Sequence, residues 1–113
     1  MRGEIWTANL GGKRRWVVIV SLNPRNVSDR VNSVLAVPFG SGGVAGPTTL
    51  ELEPGETGLP STSHLKGHFI TTLTKSLLIE RYGRLLSARR MNELVLAIRR
   101  AFDPDAPAPP EHG

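Results

Sequence analysis

Cysteine is absent from the 113 residues of the chain. Its absence excludes disulfide frameworks, thiol catalysis and cysteine-based zinc sites. It also fits a reducing compartment, so we expect a cytoplasmic protein. Long apolar runs are missing too, since the longest is Trp16 to Val20 and a membrane span needs about 20 residues. Met1 to Trp6 lack the apolar run of a signal peptide, and we expect no association with a membrane.

Clusters of metal-ligating side chains are missing as well. No group of Asp and Glu has metal-ligand spacing, and the three histidines form no metal motif. We therefore expect neither a metal site nor a cofactor. Lys and Arg number 14 against 10 Asp and Glu, which gives a formal charge of +4 and a pI near 10.3. This balance favours a polyanionic partner such as nucleic acid, with an ordinary basic surface as the alternative.

The length and composition fit one small domain. With 113 residues and 39% hydrophobic side chains, the chain is long enough for one core. We assign the domain to residues 1–103. Residues 104–113 contain four prolines and are predicted to form a disordered tail.

Short β-rich runs separated by glycine and proline turns predict an antiparallel sheet. The predicted strands are Glu4–Leu10, Arg15–Ser21, Ser33–Pro38, Thr48–Leu52 and Ser63–Leu73. The first two form a hairpin with its tip at Gly11 to Arg14, and Pro38 is expected to end its strand. In the fifth strand, alternation places Leu65, Gly67 and Phe69 on one face.

The C-terminal third predicts helical structure. Lys75 to Tyr82 is predicted to form one or two helical turns with Gly83 as the C-cap. Ser87 is the predicted N-cap of a helix that continues to Phe102. Its apolar face consists of Met91, Leu94, Val95, Ile98 and Phe102. The predicted fold is therefore mainly β with a C-terminal helix, as a small antiparallel β-barrel or a partly open sheet.

Six short blocks stand in order between about residues 2 and 102: RGEIW from Arg2, RWVVIVS from Arg15, VLAVP from Val34, TGLP from Thr57, ITTLTK from Ile70, and GRL from Gly83 with MNEL from Met91. These blocks resemble the MazF/PemK/Kid family of toxins. RGEIW at the N-terminus is similar to the family's RGxIW, and RWVVIVS from Arg15 is similar to RPVLVVS. VLAVP from Val34, TGLP from Thr57 and ITTLTK from Ile70 resemble the next three blocks, and GRL with MNEL resembles the ending. Together, the order and spacing of the blocks indicate the family.

The resemblance implies a fold, an activity and partners. The implied fold is the SH3-like barrel of the CcdB/MazF-like toxins, and the implied assembly is a homodimer. The implied activity is sequence-selective cleavage of single-stranded RNA without a metal. A cognate antitoxin, whose extended tail covers the RNA groove, is the implied protein partner.

In metal-free cleavage the ribose 2′-OH attacks its own phosphate. The enzyme must then take the hydroxyl proton, stabilise the negative charge on the phosphate and help the 5′-oxygen to leave. Arg15 is our first catalytic candidate, because the resemblance places the family's catalytic arginine there and a guanidinium matches phosphate oxygens. Ser41 is the second, since the family has a hydroxyl one step earlier; a turn-forming serine is the alternative. His68 is the third, as an acid or base near neutral pH.

The remaining candidates are RNA-binding residues. Lys13, Arg14, Trp16 and Arg25 form a basic and aromatic group suited to phosphate contact and base stacking; a solubilising turn with a packed Trp16 is the alternative. His64 lies four residues before His68, so a regular strand would place both on one face. Ordinary, partly exposed strand histidines are the alternative. The ITTLTK block adds Thr72 and Lys75.

Two other functions remain open from the sequence. A DNA gyrase poison like CcdB shares the fold of the toxin family and differs in its target. A non-catalytic nucleic-acid-binding relative also remains open, because Gly40, Phe69 and Thr71 replace residues usual in the family. The arginines of the C-terminal region are either a solvated face or contacts for RNA or an acidic antitoxin tail. They are Arg84, Arg89, Arg90, Arg99 and Arg100.

Overall fold

The fold is known from a computed structural model that describes residues 1–40, 42 and 46–109. Seven antiparallel strands and three helices are seen in this part of the chain. The strands are β1 (Ile5–Leu10), β2 (Lys13–Ile19), β3 (Ser33–Gly40), β4 (Thr49–Leu52), β5 (Ser63–Lys66), β6 (Thr71–Thr74) and β7 (Leu78–Tyr82). The helices are α1 (Asn23–Val27), α2 (Pro54–Thr57) and α3 (Ala88–Arg100). The prediction of a mainly β protein with a C-terminal helix is confirmed.

The strands form one sheet in the order β4-β5-β3-β2-β1-β7, and β6 also pairs with β3. The hairpin between β1 and β2 turns at Gly11 and Gly12 alone, with φ of 58° and 80°. Such positive φ values suit glycine and the tight turns of two-residue hairpins. The predicted tip was too long, because Lys13 and Arg14 already pair with Leu10 and Asn9.

Strand β3 changes partners along its length. Its residues pair with β2 as far as the Val17–Pro38 pair, and Phe39 and Gly40 then pair with β5. The prediction that Pro38 ends the strand was wrong. A proline cannot donate to a ladder, and here it is the last residue of β3 that pairs with β2, while Phe39 and Gly40 pair with β5 on the other edge of the strand. Strands β2 and β3 therefore part immediately after Pro38.

The predicted strand from Ser63 to Leu73 was also wrong, because a 3-10 helix at Gly67–Phe69 divides it into β5 and β6. Gly67 is buried where α3 crosses the sheet. A Cβ atom at this position would lie 2.7 Å from the backbone nitrogen of Ile98. The close approach of α3 therefore coincides with the break. Phe69 is 54% exposed whereas Leu65 is buried, so the two residues do not continue one face of a strand.

The helical turns predicted for Lys75 to Tyr82 were wrong for most of that segment. Only Lys75–Leu77 forms a 3-10 helix, and the rest is strand β7, which pairs with β1. Gly83 is consequently not a helix C-cap. It follows β7 with a φ of 71°, and a Cβ atom there would lie 2.2 Å from the carbonyl oxygen of Thr57.

Helix α3 is the element that the sequence predicted best. The hydroxyl of Ser87 accepts a hydrogen bond of 3.2 Å from the backbone N–H of Arg90, which confirms the N-cap. Met91, Leu94 and Ile98 are buried, but Phe102 is 72% exposed. Phe102 was therefore wrongly placed on the buried face, because α3 ends at Arg100.

Two hydrophobic cores lie on opposite faces of the sheet. One contains Val18 and Val20 with Leu94 and Ile98 of α3, and the other contains Val17 and Ile19. This division confirms that both faces of the second predicted strand are buried. Within the described part of the chain, no helix is long and apolar enough to cross a membrane. Residues 110–113 of the predicted tail lie outside the described residues.

Candidate functional site

The gap between β2 and β3 opens into two cavities with volumes of about 510 and 320 Å³. Both cavities are lined by Arg15 on β2 and by Phe39 and Gly40 on β3. The gap follows from the end of the pairing between β2 and β3 at Pro38, since β2 runs on toward the hairpin while Phe39 and Gly40 pair with β5. Arg15 thus lies between the two cavities. We call these two cavities together the cleft.

The larger cavity is formed by residues from five parts of the fold, namely β1, β2, β3, the segment that leads into β5, and β7. Its other lining residues are Thr7, Arg14, Trp16, Ser61, Thr62, Ser63, Glu80 and Tyr82. The smaller cavity is lined also by Pro38, Gly42, Lys66 and Phe69. The ammonium group of Lys66 lies 5.5 Å from the centre of the Phe69 ring. The cleft therefore combines cationic and aromatic side chains on both sides of Arg15.

The cationic side chains of the cleft have no acidic partner in the described structure. Arg14, Arg15 and Lys66 are absent from all ion pairs of the described residues, whereas Arg81, Arg89, Arg90 and Arg99 all pair with carboxylates. Because cations without a protein partner attract anions more strongly, the cleft is the better anion site. Among the described residues, Glu80 is the one carboxylate that lines the cleft.

The arginines of the C-terminal region are mostly engaged within the protein. The Arg90 guanidinium donates to Glu56 at 2.7 and 3.2 Å and to Glu93 at 2.7 Å. The hydrogen bonds that Arg90 donates to Glu56, and then those to Glu93, raise the pKa of Arg90 above its usual value, despite partial burial. Arg84 and Arg100 donate to backbone carbonyl groups. These contacts join α3 to the rest of the fold, so most of this region is not a free basic surface.

The predicted RNA-binding residues fall into separate groups. Arg14 and Trp16 line the cleft with Arg15, and Lys13 is exposed beside them on β2. Arg25 in α1 and Lys75 lie together elsewhere. There the Nη2 group of Arg25 donates to the Ser33 hydroxyl at 2.8 Å, and the Lys75 ammonium donates to the carbonyl oxygens of Arg25 and Ser28 at 3.0 and 2.8 Å.

The two histidines do not share one face of a strand, so that expectation was wrong. His64 is on β5, and its Nε2 atom lies 3.8 Å from the carboxylate of Glu51. His68 is in the 3-10 helix, where its Nδ1 atom lies 2.9 Å from the Thr48 hydroxyl and its ring leans on Phe69. Neither histidine lines the cleft. Thr72 is exposed on β6, and Ser41 lies outside the described residues.

Sequence reasoning missed several residues of the cleft. Thr7, Phe39, Lys66, Glu80 and Tyr82 are brought to it by the pairing of distant strands. No local pattern marks them as functional, since Glu80 and Tyr82 lie in a segment that predicted a helix. Within the described part of the chain, no group of three or more His, Asp or Glu side chains is placed to hold a metal ion.

The fold and the cleft define a small antiparallel β protein with a basic, aromatic-lined groove. Residues 1–102 match the protein family described as PemK-like, MazF-like toxins of type II toxin–antitoxin systems. The chain belongs to this toxin family. No curated protein sequence matches it.

Solved structures share the whole fold. An endoribonuclease from a mycobacterial species, in complex with its cognate antitoxin, is 27% identical with a TM-score of 0.79, and the match covers 95% of this chain and 98% of that one. A second mycobacterial endoribonuclease is 26% identical with a TM-score of 0.78, covering 95% and 94%. The Mycobacterium tuberculosis toxin MazF-mt6 is 24% identical with a TM-score of 0.77, covering 90% and 98%, and supports the fold.

Proposed function

We propose that this toxin is an endoribonuclease that cuts single-stranded RNA sequence-selectively and without a metal ion. The observation that carries the proposal is the position of Arg15, which lines both cavities and has no acidic partner in the described structure. The family and the two endoribonuclease neighbours support RNA as the substrate. They favour this function over the gyrase poison and the non-catalytic binder.

The proposed reaction is an internal transfer at one phosphodiester. The ribose 2′-oxygen attacks the adjacent phosphorus, its bond to phosphorus forms, and the bond from phosphorus to the 5′-oxygen breaks. The 2′-hydroxyl loses its proton, and the 5′-oxygen gains one. Arg15 donates hydrogen bonds to the non-bridging oxygens, where negative charge grows in the transition state.

The other catalytic assignments stay predictions. Ser41 is proposed as the hydroxyl that positions the phosphate, and this role depends on the sequence resemblance alone. His68 keeps its sequence-based assignment as a candidate acid or base, but its ring lies outside the lining of the cleft, so we do not expect cleavage to depend on it. Lys13, Arg14 and Trp16 are proposed to bind the RNA around the cut. The weaker RNA-binding candidates, none of which lines the cleft, are His64, Thr72, Arg25 and Lys75. Arg25 and Lys75 also already bind protein groups.

We also propose the partners that the family membership supports. A cognate antitoxin neutralises the toxin, as the complex of the mycobacterial endoribonuclease suggests. A homodimer is the proposed assembly. The proposed site of action is the cytoplasm, where the RNA substrate and the antitoxin are made.

The proposal is tested with the purified chain and total cellular RNA in the presence of EDTA. We expect cuts at a limited set of sequences and fragments that carry 2′,3′-cyclic phosphate ends. Total RNA is preferable to one transcript, because a single transcript can lack the recognised sequence. A requirement for magnesium, or intact RNA with DNA gyrase trapped on DNA, would refute the proposal.

Variants of Arg15 test its role directly. We expect Arg15→Ala to lower the cleavage rate by about 10²–10³-fold, as loss of one oxyanion donor does elsewhere. Arg15→Lys keeps the charge but loses the planar pair of donors, so it should restore only part of the rate. Arg30→Ala is the matched control, since Arg30 is exposed and lines neither cavity. An active Arg15→Ala variant would end the assignment.

A further inference from the structure

The neighbouring strands β2, β1 and β7 together form one polar corner of the cleft. Thr7 on β1 lies directly opposite Trp16 on β2 and opposite Glu80 on β7. Directly opposed residues share one face of a sheet, so the three side chains form a row. Tyr82 lies two residues beyond Glu80 and stacks on Trp16. We call Trp16, Tyr82, Thr7 and Glu80 the aromatic corner.

Thr7 holds the strand that carries Glu80. Its hydroxyl donates to the carbonyl oxygen of Glu80 at 3.3 Å and accepts from the backbone N–H of Glu80 at 3.2 Å. These bonds lie where the pairing of β1 with β7 shifts register, between Thr7 and Ala8. The bulge and the buried hydroxyl of Thr7 therefore set where the side chain of Glu80 projects.

The carboxylate of Glu80 has no hydrogen-bond or ion-pair partner among the described residues, although it lines the same cavity as Arg14 and Arg15. A carboxylate repels phosphate, so this corner is unsuited to the RNA backbone. It is suited to hydrogen-bond donors that present a flat, stackable ring. An unpaired nucleobase has both features, since its face stacks on aromatic side chains and its Watson–Crick edge is free in single-stranded RNA.

We propose that the aromatic corner binds a guanine of the RNA and that Glu80 is the residue that selects it. Guanine presents two adjacent donors, N1–H and N2–H, which match the two oxygens of one carboxylate. Adenine and cytosine present one donor beside an acceptor, and uracil presents one donor between two carbonyl groups. A carboxylate therefore gains two hydrogen bonds only with guanine. This inference rests on the proposed function, because it assumes RNA in the cleft.

The test measures binding instead of cleavage, so that it does not depend on the nuclease reaction. The probes are 2′-O-methyl pentamers of uridine, either unchanged or with one guanine, adenine or cytosine in the middle. They lack the attacking hydroxyl, and their single distinct base can slide into the corner. Dissociation constants are measured by calorimetry for the unaltered chain, for Glu80→Gln and for Asp105→Asn. Asp105→Asn is the control, because it removes the same charge from an exposed residue outside the cleft.

We expect the unaltered chain to bind the guanine pentamer about tenfold more tightly than the others, as a good bidentate contact does. Glu80→Gln should lose this preference and bind the adenine and cytosine pentamers better, because an amide offers one acceptor and one donor. Asp105→Asn should keep the guanine preference. Equal affinities for the four pentamers, or a guanine preference that survives Glu80→Gln, would overturn the inference.

This binding experiment, combined with the cleavage assay on total cellular RNA, separates this inference from the proposed function. Guanine preference without RNA cleavage by the unaltered chain would refute the nuclease proposal and leave the aromatic corner as a binding site. Cleavage of cellular RNA with no guanine preference would support the nuclease proposal and refute the inference about the aromatic corner. If the chain both cleaves RNA and prefers guanine, the sequenced fragments should carry guanine at one constant position beside the cut. Fragments made by the Glu80→Gln variant should not show this constant guanine.

Discussion

The rings of Trp16 and Tyr82 stack with their centres 5.5 Å apart and their planes inclined by 30°. The two residues belong to β2 and β7, which are separated in the sheet by β1. The stack therefore spans three strands at the edge of the larger cavity, where bases of single-stranded RNA have an aromatic surface available.

We expect Tyr82→Ala to weaken the binding of a non-cleavable RNA by about 1–3 kcal/mol, the usual contribution of one stacked base. The salt dependence of binding should stay the same, because no charge is removed. Tyr82→Phe keeps the ring and serves as the control, with affinity close to that of the unaltered chain. Fluorescence titrations at several salt concentrations provide the measurement, and an unchanged affinity for Tyr82→Ala would count against the stack.

The arginines of the cleft and of α3 should differ in their effect on RNA binding. Arg14 has no acidic partner among the described residues, whereas Arg89 pairs with Glu93 at 3.4 Å. If Arg14 contacts a phosphate, Arg14→Ala should reduce the slope of log K against log salt by about 0.7, the value for one contact with a single strand. Arg89→Ala should leave the slope unchanged. Equal effects of the two variants would show a diffuse basic surface.

Gly67 should be one of the positions least tolerant of a side chain. A Cβ atom there would lie 2.7 Å from the nitrogen of Ile98 and 2.8 Å from the carbonyl carbon of Ala97, both backbone atoms of α3. Because the backbone of a packed helix moves only at a cost, we expect Gly67→Ala to lower the free energy of unfolding by about 1–3 kcal/mol.

Denaturant titration provides the measurement for Gly67→Ala. The matched control is Gly55→Ala in α2, where the added Cβ atom would meet nothing within 4 Å. The control should be neutral or slightly stabilising, because alanine favours a helix over glycine. Equal stability of the two variants would mean that α3 moves away without cost.

The ion pair between Glu56 and Arg90 should make stability depend on pH below neutrality. Hydrogen bonds from the Arg90 guanidinium, followed by the backbone N–H of Glu53, lower the pKa of Glu56 from its ordinary value of 4.5. A carboxyl with a lowered pKa in the folded state binds fewer protons than in the unfolded chain. Its contribution is therefore complete above about pH 4.5 and is lost as the pH falls toward the folded-state pKa.

Glu56→Gln tests this dependence. We expect the variant to be less stable at pH 7 by about 1 kcal/mol, because the pair is partly exposed to solvent. The difference from the unaltered chain should shrink as the pH is lowered from 5 to 3 (roughly the range in which a carboxyl of lowered pKa takes up its proton). Arg90→Gln should remove the share of this pH dependence that comes from its guanidinium and leave the share that comes from the backbone N–H of Glu53. A difference that stays constant over this range would contradict the assignment.

His68→Gln tests the acid–base role predicted for His68. The ring is held by Thr48 and Phe69 and lines neither cavity, so we expect the cleavage rate to stay within the same order of magnitude. Loss of a general acid or base costs about 10²–10⁴-fold. A loss of that size, together with a change in the pH–rate profile near neutrality, would instead restore His68 as a catalytic residue.

Local signals in the sequence determined several parts of this protein. The glycine pair at Gly11 and Gly12, the capping hydroxyl of Ser87 and the helical spacing of Met91, Leu94 and Ile98 each act over a few residues. Such features depend on nearby backbone geometry and on one apolar face, and the structure confirms them. The ordered blocks of residues likewise indicated the toxin family, which the family match confirms.

Only the tertiary structure decided where the cleft lies and what lines it. Strand β7 forms because β1 supplies its hydrogen-bond partners, and β5 ends where α3 packs on Gly67. Both effects join segments that are distant in the chain, so no local pattern carries them. The same long-range pairing brings Glu80 and Tyr82 beside Trp16 and pairs Arg90 with Glu56. Because register and helix packing set these neighbours, the chemistry of the site could not be derived from residue order alone.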